Sequence, residues 1–387
     1  MINMNKWMLR SLSMLAMTVI LLLGPAYSRA DTIKVGAILA ATGPASFLGG
    51  PAVRSLKMLL EEVNSKGLAG GHTIELIIKD SGGSSEKAVS FAKQLIEEEK
   101  VFAIIGPSTS GETFKIKKLC DSNQTILISC ASAELIVNPV APFVFKTAPS
   151  DSLAARKIFM TMNEMGISKV AVLTGNTGFG KAGKQQLTEI APEYGIELVE
   201  SEVYDGQATD LSAIVVKIKA NQDVEAVINW SIVPAQSIIA KNIRQVGWDV
   251  PLFQSHGFAN IKYVEAAGAA AEGIIFPASR LIVAESLPDS KEKDFLMHYK
   301  NGYEKKFGEA ASTFGGHSYD ALMILTRAIA EVGPDKLKVR DAIERMTGYF
   351  GTAGEFNFSP EDHSGLGIDA FTMVTVKDTR FVPYVMN

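Results

Sequence analysis

Apolar runs of strand length alternate along this chain with segments whose apolar residues recur at helical spacing. This alternation is typical of parallel β-sheets that are covered by helices on both faces. The pattern runs through one series of strands and then begins again after residue 150. The predicted strands cover residues 33–39, 74–79, 102–105, 125–129 and 143–147, and then 170–173, 197–203, 226–230, 252–255 and 273–277.

After residue 277 the pattern is mostly helical and ends in strands near 356 and 371–376. This late block of helices is explained if the chain returns to the first lobe, giving three crossings at Pro149, Pro277 and the pair Gly351 and Gly354. Such hinges are common in proteins that close around a ligand. We therefore predict an α/β fold of two doubly wound parallel-sheet lobes joined by a three-segment hinge. Lobe 1 would comprise residues 31–148 and 278–352, and lobe 2 residues 149–277 and 353–387.

The first thirty residues have the pattern of a cleavable secretory signal peptide. Lys6 and Arg10 precede an apolar run over 12–23, and the small-residue site Ser28-Arg29-Ala30 follows. The run is too short to span a bilayer as a helix. No cysteine stands at the end of this apolar run, where a lipid would be attached, so a lipid anchor is not expected. We predict a periplasmic protein that begins at Asp31 after cleavage.

Charge and length narrow the possible partners. The chain has 387 residues with a net charge of −4, and removing the basic signal peptide makes it more acidic, so nucleic acid is a poor partner. The length exceeds what one hydrophobic core organises, which favours two domains.

Cys120 and Cys130 are predicted at opposite ends of a helix–strand layer, too far apart for a disulfide, and are expected as free buried thiols.

The strongest indication of an enzyme is the glycine pattern of residues 178–183, GxGxxG, at the start of a predicted helix. In dinucleotide sites such glycines bring a pyrophosphate against a helix N-terminus, and Glu200 falls near the spacing expected for a ribose ligand. Three residues separate the preceding strand from the first glycine, however, and the chain is predicted to be exported. An NAD-dependent enzyme therefore remains a minor alternative.

Other catalytic patterns fail on spacing. The histidines at 72, 256, 298, 317 and 363 stand singly, without a paired metal-ligand spacing. The serines of the segment 106–110 lack the closing glycine of a nucleophile elbow. We therefore predict no catalytic residues, no metal site and no cofactor.

Two strand-to-helix loops carry small hydroxyl residues suited to anion capture. The segment 105–113 contains Ser108 and Ser110 where a strand leads into a helix, and Ser132 lies in the loop after the next strand. Free N–H groups at a helix start favour a carboxylate, and ligands of open α/β sheets bind at the carboxyl ends of strands. A single serine could simply cap its helix, but two adjacent loops favour a binding site.

At this point the chain resembles the type I periplasmic binding proteins of the leucine/isoleucine/valine-binding family. The similarity covers residues 31–387 and includes Ile33-Lys34-Val35-Gly36, Ile104-Ile105-Gly106-Pro107, Phe145-Lys146-Thr147 with Asp151, and Ser318-Tyr319-Asp320-Ala321. The resemblance implies two lobes that close on a small solute, which is then delivered to an inner-membrane ABC permease. We expect a monomer.

The resemblance also implies which residues contact the ligand. A serine matching Ser110 and the loop of Ala131, Ser132 and Ala133 hold the ligand carboxylate in that family, although the usual threonine appears here as Ala133 or, with a one-residue shift, Ser132. The other matched positions are Phe179, Trp230 and Ser231 on lobe 2, and Leu48 and Phe314 on lobe 1.

The chain departs from its relatives at His256. Amino-acid binders of the family place an acidic residue there to pair with the ligand ammonium, and a buried ammonium without a carboxylate is costly. Phe179, Trp230, Phe258 and Phe314 surround the position and could stack on a flat ring. We therefore expect a small-molecule carboxylate without an α-amino group, preferably aromatic, with a protonated His256 tightening binding as the pH falls.

Two alternatives within the same fold remain open. The ligand could be a branched-chain or other amino acid, as in the relatives, and some aromatic residues around His256 could be ordinary core. The lobe pair could also act as a sensor for a receptor.

Overall fold

The computed structural model describes residues 31–386 as two α/β lobes, and the predicted signal peptide lies outside the described residues. The first lobe is built on five parallel strands in the order β2-β1-β3-β4-β5. Its central strands are buried on both faces, as continuous apolar runs predict. The strands are β1 (Thr32–Leu39), β2 (Thr73–Asp80), β3 (Ala103–Ile105), β4 (Ile126–Ser129) and β5 (Val144–Lys146).

Three helices connect these strands and cover the sheet. They are α1 (Ser46–Lys66), α2 (Ser85–Lys93) and α3 (Ser110–Ser122), and a π-helical turn at Gln94–Glu98 extends α2. The late helices α9 (Lys291–Phe307), α10 (Thr313–Val332) and α11 (Lys336–Glu344) join the same lobe. Their apolar residues Leu296, Leu322 and Ile343 share one core with Val35 and Ile105 of the sheet. The predicted return of the chain to the first lobe therefore explains the late helical block.

The second lobe contains seven strands in the order β14-β13-β10-β9-β8-β6-β7. The first five in sequence are parallel: β6 (Lys169–Gly175), β7 (Glu197–Tyr204), β8 (Ala226–Trp230), β9 (Leu252–Gln254) and β10 (Ile275–Ala278). The antiparallel strands β13 (Thr372–Lys377) and β14 (Arg380–Pro383) extend the sheet beyond β10. Its helices are α4 (Asp151–Glu164), α5 (Gly178–Ile190), α6 (Ser212–Lys219), α7 (Ala235–Gln245) and α8 (Ile261–Ala267).

All ten strands predicted for the two series are present, and the α/β class with two lobes is confirmed. The predicted third crossing is too early, however. A short hairpin of β11 (Tyr349–Phe350) and β12 (Glu355–Phe356) stays with the first lobe, where Phe356, Phe358 and Leu366 belong to its core. Phe371 is the next residue to join a second-lobe core, so the crossing follows Leu366 and not Gly351. The two glycines form the hairpin turn instead, in which Gly351 N donates to Gly354 O at 2.8 Å.

The two cysteines are free and buried, as expected. Burial raises the pKa of the Cys120 thiol and of the Cys130 thiol to about 12 each, so both stay protonated at neutral pH. Within residues 31–386, no helix combines the length and the apolar character needed to cross a membrane.

Candidate functional site

A cavity lies between the lobes and is lined by residues of both. The first-lobe wall consists of the loops 108–110 and 130–132 together with Leu48, Phe314 and His317. The second-lobe wall consists of Phe179, Ile232, His256, Gly257 and Ala259. Phe258, expected from the sequence near the ligand, is instead buried in the core of the second lobe. The hinge-side wall consists of the crossing segments 148–149 and 278–279 and of Phe371.

The turn after β3 sets the position of the first-lobe hydroxyls. Gly106 has a φ of +94°, and a Cβ at this residue would lie 2.2 Å from the carbonyl oxygen of Ile38, so the turn requires glycine. Thr109 caps α3, because its hydroxyl accepts from the N–H of Glu112 and donates to that residue's carboxylate at 2.6 Å. Thr109 is therefore the capping residue, and the neighbouring serines are available for other contacts.

Ser110 joins the two loops of the first-lobe wall. Its Oγ accepts from the N–H of Ala133 at 3.4 Å, and the Oγ of Ser108 accepts from the N–H of Ala40 at 3.2 Å. A hydroxyl that accepts through a lone pair still has its own O–H to donate. Both serines are thus held in place by backbone groups and can each offer a proton to an oxygen in the cavity.

The second-lobe wall is an aromatic cluster around His256. The rings of Phe179 and Trp230 stack with centroids 5.7 Å apart. His256 lies edge-on to both rings, at 5.3 Å and 5.6 Å, and 5.4 Å from the ring of Phe371. These rings exclude water from the imidazole and fix its plane.

His256 is also the direct link between the two walls. Its Nε2 lies 2.8 Å from the Oγ of Ser132, in a buried hydrogen bond that joins the second lobe to the first. A second interlobe bond runs from Nδ2 of Asn260 to the carbonyl oxygen of Phe47 at 2.7 Å. Leu48 packs in the core cluster that contains Phe179. The described structure is therefore the closed arrangement of the lobes.

The pKa of His256 is lowered to about 3. Burial is the main cause, and the nearby His317 and Lys146 contribute in the same direction. The imidazole is therefore neutral in the closed cavity at neutral pH. The protonated His256 expected from the sequence is wrong for this state, because closure removes the ring from water and places it among aromatic groups and other cationic centres. A neutral imidazole can donate through one ring nitrogen and accept through the other.

His317 is a cavity residue that the sequence analysis did not select. It lies on α10 one turn after Phe314, with ring centroids 6.4 Å apart, and burial lowers its pKa to about 3. The i, i+3 spacing from a predicted wall residue was the available signal. Ser279, at the second crossing, is a further polar lining residue that sequence reasoning missed.

A buried lysine lies behind the first-lobe wall. Nζ of Lys146 donates to the carbonyl oxygens of Ala148 at 2.8 Å and Ser132 at 3.5 Å. Burial lowers its pKa to about 8, against the opposing effect of Glu134 and Asp151, so the ammonium remains charged at neutral pH. Asp151 accepts from the N–H of Glu134 and donates its own N–H to Ser132 O, which ties the Ser132 loop to the first crossing.

Seven of the ten residues predicted to contact a ligand line the cavity. They are Leu48, Ser110, Ala131, Ser132, Phe179, His256 and Phe314. The other three lie behind the surface. Ala133 packs into a first-lobe core, Trp230 is fully buried beneath Phe179, and the Oγ of Ser231 accepts from the N–H of Val233. These three predictions are corrected, because each residue supports a lining neighbour and does not reach the cavity.

The glycines of the 178–183 pattern serve packing. A Cβ at Gly183 would lie 2.0 Å from Nε1 of Trp230, and one at Gly180 would lie 1.9 Å from the carbonyl oxygen of Gly175. A Cβ at Gly178 would lie 2.6 Å from Cα of Gly111 in the opposite lobe. The pattern thus brings α5 close to Trp230 and to the first lobe, and it presents Phe179 to the cavity.

The cavity has no charged lining among residues 31–386: no Asp, Glu, Lys or Arg side chain reaches it. Its polar groups are hydroxyls, backbone amides and two neutral imidazoles. Two α/β lobes closed over such a cavity, with a three-segment hinge, define a lobe-closing solute-binding protein.

Comparisons with known proteins agree with this class. The sequence profile described as "periplasmic binding protein" matches residues 32–380, so the chain belongs to this family, in the type I group of branched-chain amino acid transporters. The Leucine-, isoleucine-, valine-, threonine-, and alanine-binding protein of Pseudomonas aeruginosa is 22% identical over 321 residues, which cover 82% of this chain and 83% of the relative.

Solved structures show the same fold. An extracellular ligand-binding receptor from Rhodopseudomonas palustris HaA2 is 25% identical, with a TM-score of 0.83 and coverage of 91% of this chain and 99% of that one. The substrate-binding protein LivJ of Streptococcus pneumoniae, solved with isoleucine, is 24% identical, with a TM-score of 0.80 and coverage of 90% and 97%. Family members are periplasmic and are the substrate-binding components of ABC transporters.

Proposed function

We propose that this protein captures a small carboxylate without an α-amino group, most favourably an aromatic acid, and delivers it to an inner-membrane ABC permease. The observation that carries the proposal is the absence of any acidic side chain from the cavity lining within the described residues. An α-ammonium enclosed there would lose its water and gain no carboxylate, at a cost of several kcal/mol.

The first-lobe wall supports the carboxylate end of such a ligand. Ser108 and Ser110 have hydroxyl protons to donate, and the loop from Ala131 to Ser132 lies beside them. Hydrogen bonds to an ionised acceptor are about twice as strong as neutral ones. We assign the acid to this wall, with Ser132 of the same wall, or His256 from across the cavity, as a further donor.

The second-lobe wall supports a flat apolar body. Phe179 is backed by Trp230 and lines the cavity together with Leu48 and Phe314, so a ring bound beside them would have both aromatic and aliphatic contacts. Aromatic pairs contribute about 0.5–1.5 kcal/mol beyond their buried area. Closure would then be driven by a ligand that contacts both walls at once.

Titration calorimetry with leucine, phenylalanine, benzoate and 3-phenylpropanoate tests the proposal. We expect one of the aromatic acids to bind and both amino acids to fail. The variant His256→Asp should lose the aromatic acid, because its carboxylate would face the ligand anion, and the matched His298→Asp at an exposed histidine should bind as the wild type does. Tight binding of an amino acid without binding of either aromatic acid would refute the proposal.

An amino-acid ligand is the second candidate, because the named relatives bind amino acids. The calorimetric series distinguishes the two ligand classes directly. An NAD-dependent enzyme is not favoured, since the glycine pattern is accounted for by packing against Trp230 and Gly111.

A further inference from the structure

Within residues 31–386, three residues that line the cavity carry buried polar atoms without a hydrogen-bond partner. Of the buried side-chain nitrogen and oxygen atoms that lack a hydrogen bond among the described residues, three belong to lining residues: Nδ1 of His256, Nδ1 of His317 and Oγ of Ser279. Each of these residues is more than nine-tenths buried. Buried polar groups without a partner are rare in folded proteins, so a cluster of them around a ligand cavity requires an explanation.

These groups are distinct from the hydroxyls assigned to the carboxylate. Ser108 and Ser110 are anchored to the first-lobe backbone, on the loops that follow β3. Ser279 lies on the second crossing, and His317 lies on α10, where its carbonyl oxygen accepts from the hydroxyl of Thr147 just before the first crossing. The second polar set therefore comes from the second crossing and from the helix bonded to the segment before the first crossing, and not from the loop after β3.

If the carboxylate is held by Ser108 and Ser110, His317 and Ser279 need a different partner. A plain hydrocarbon ring placed against His317 and Ser279 would enclose their polar atoms without offering a partner, which is unfavourable. A hydroxyl or carbonyl oxygen on the ring would supply a hydrogen-bond donor or acceptor. Neutral imidazole suits such a group because it can donate or accept.

Building on the proposed function, we propose that His317 and Ser279 form a second recognition point and that the ligand is a hydroxy- or oxo-substituted aromatic acid. His317 is then a specificity-determining residue. It discriminates between acids that carry a second oxygen and acids that lack one, while the first-lobe wall holds the carboxylate common to both. Sites that hydrogen-bond a ligand hydroxyl reject the analogue without it strongly.

Calorimetry with matched ligand pairs tests this inference. The probes are benzoate against its 2-, 3- and 4-hydroxy isomers, and cinnamate against its hydroxy isomers. In the wild type, at least one hydroxy isomer should bind tenfold or more tightly than its parent acid, and tenfold corresponds to about 1.4 kcal/mol. In His317→Phe the ratio of the two affinities, hydroxy isomer to parent acid, should fall to near one. The conservative His317→Gln should keep part of the preference.

A matched serine pair provides the control. Ser279 and Ser312 both precede a helical turn, and both have a buried hydroxyl without a partner, but only Ser279 lines the cavity. Ser279→Ala should reduce the preference for the hydroxy acid, and Ser312→Ala should leave it unchanged. These two variants carry the test if His317→Phe does not fold.

The possible failures are distinguishable. Parent acids that bind as tightly as every hydroxy isomer, or a preference that survives both His317→Phe and Ser279→Ala, would overturn the second recognition point and leave the proposed function standing. If none of the aromatic acids binds and an amino acid does, both proposals are wrong.

Discussion

The two main walls of the cavity present different chemistry. The first-lobe wall offers hydroxyls fixed by backbone bonds, as at Ser108 and Ser110. The second-lobe wall offers the ring of Phe179 supported by Trp230, with His256 enclosed by aromatic groups. One lobe therefore carries directional donors and the other an apolar cover. Neither lobe contains a complete site, so strong binding depends on closure.

The difference has a structural origin in the loops that form each wall. The first-lobe loop after β3 turns at Gly106 and places hydroxyl residues at the start of α3. The corresponding second-lobe loop after β6 leads into α5, where close-packed glycines let the helix approach Trp230. Equivalent positions at the ends of parallel strands thus hold donors in one lobe and a ring in the other.

The largest loss of stability is expected when a methyl group is added behind the second-lobe wall, against Trp230. In Gly183→Ala the new Cβ would lie 2.0 Å from Nε1 of Trp230, which has no room to move in a fully buried position. Overpacking of this kind costs about 3 kcal/mol. Urea unfolding should show the loss. Gly302→Ala, on an exposed face of α9, is the control and should stabilise by about 0.5–1 kcal/mol. Equal stability of the two variants would contradict this account.

A smaller effect is expected when only the contact between lobes is disturbed. A Cβ at Gly178 would lie 2.6 Å from Cα of Gly111, whereas a Cβ at Gly111 has no neighbour nearer than 3.7 Å. Gly178→Ala should therefore hinder closure and weaken binding of the best aromatic acid about tenfold, with each lobe still folded. Gly111→Ala is the matched control.

Calorimetry and small-angle scattering measure the two consequences of Gly178→Ala. The variant should be less compact than the wild type in the presence of the acid, and Gly111→Ala should match the wild type. Full compaction and wild-type affinity in Gly178→Ala would show that the close approach of the two glycines is not needed for closure.

A further effect is expected from acid. His256 and His317 titrate near pH ~6.5 in water, and burial lowers each pKa to about 3 in the closed form. Below pH ~6.5 the folded form therefore binds fewer protons than the unfolded chain. The stability contributed by the two neutral imidazoles is complete above pH ~6.5 and is lost as the pH falls towards 3. At pH 5 we expect a loss of about 2 kcal/mol for each histidine.

The comparison of wild type with His256→Phe and His317→Phe tests this contribution, because each variant removes one of the two buried imidazoles. Unfolding free energies at pH 7 and pH 5 should differ less in each variant than in the wild type. His298→Phe, at an exposed position, should keep the wild-type dependence. An equal pH dependence in all four proteins would contradict the assignment.

Most of the fold followed from hydrophobic patterning, because strand runs and helical periods are local. The third crossing did not, since Gly351 and Gly354 indicate a turn but not which core the next strand joins. In the site, Ser110 was predictable from a loop at a strand end, and Phe179 was implied by the family resemblance. His317 was not, because its helix reaches the cavity only after the chain has crossed twice. Trp230 ends a predicted strand but is buried by Phe179, a packing relation that sequence spacing does not reveal.

The two hydrogen bonds that join the lobes have a kinetic consequence. Ser132 with His256, and Phe47 with Asn260, connect the lobes directly and hold the two walls of the cavity together. A solute that contacts both walls would leave when these bonds break and the lobes part. Solutes of different affinity would then share one upper limit on their dissociation rates, set by the frequency of opening.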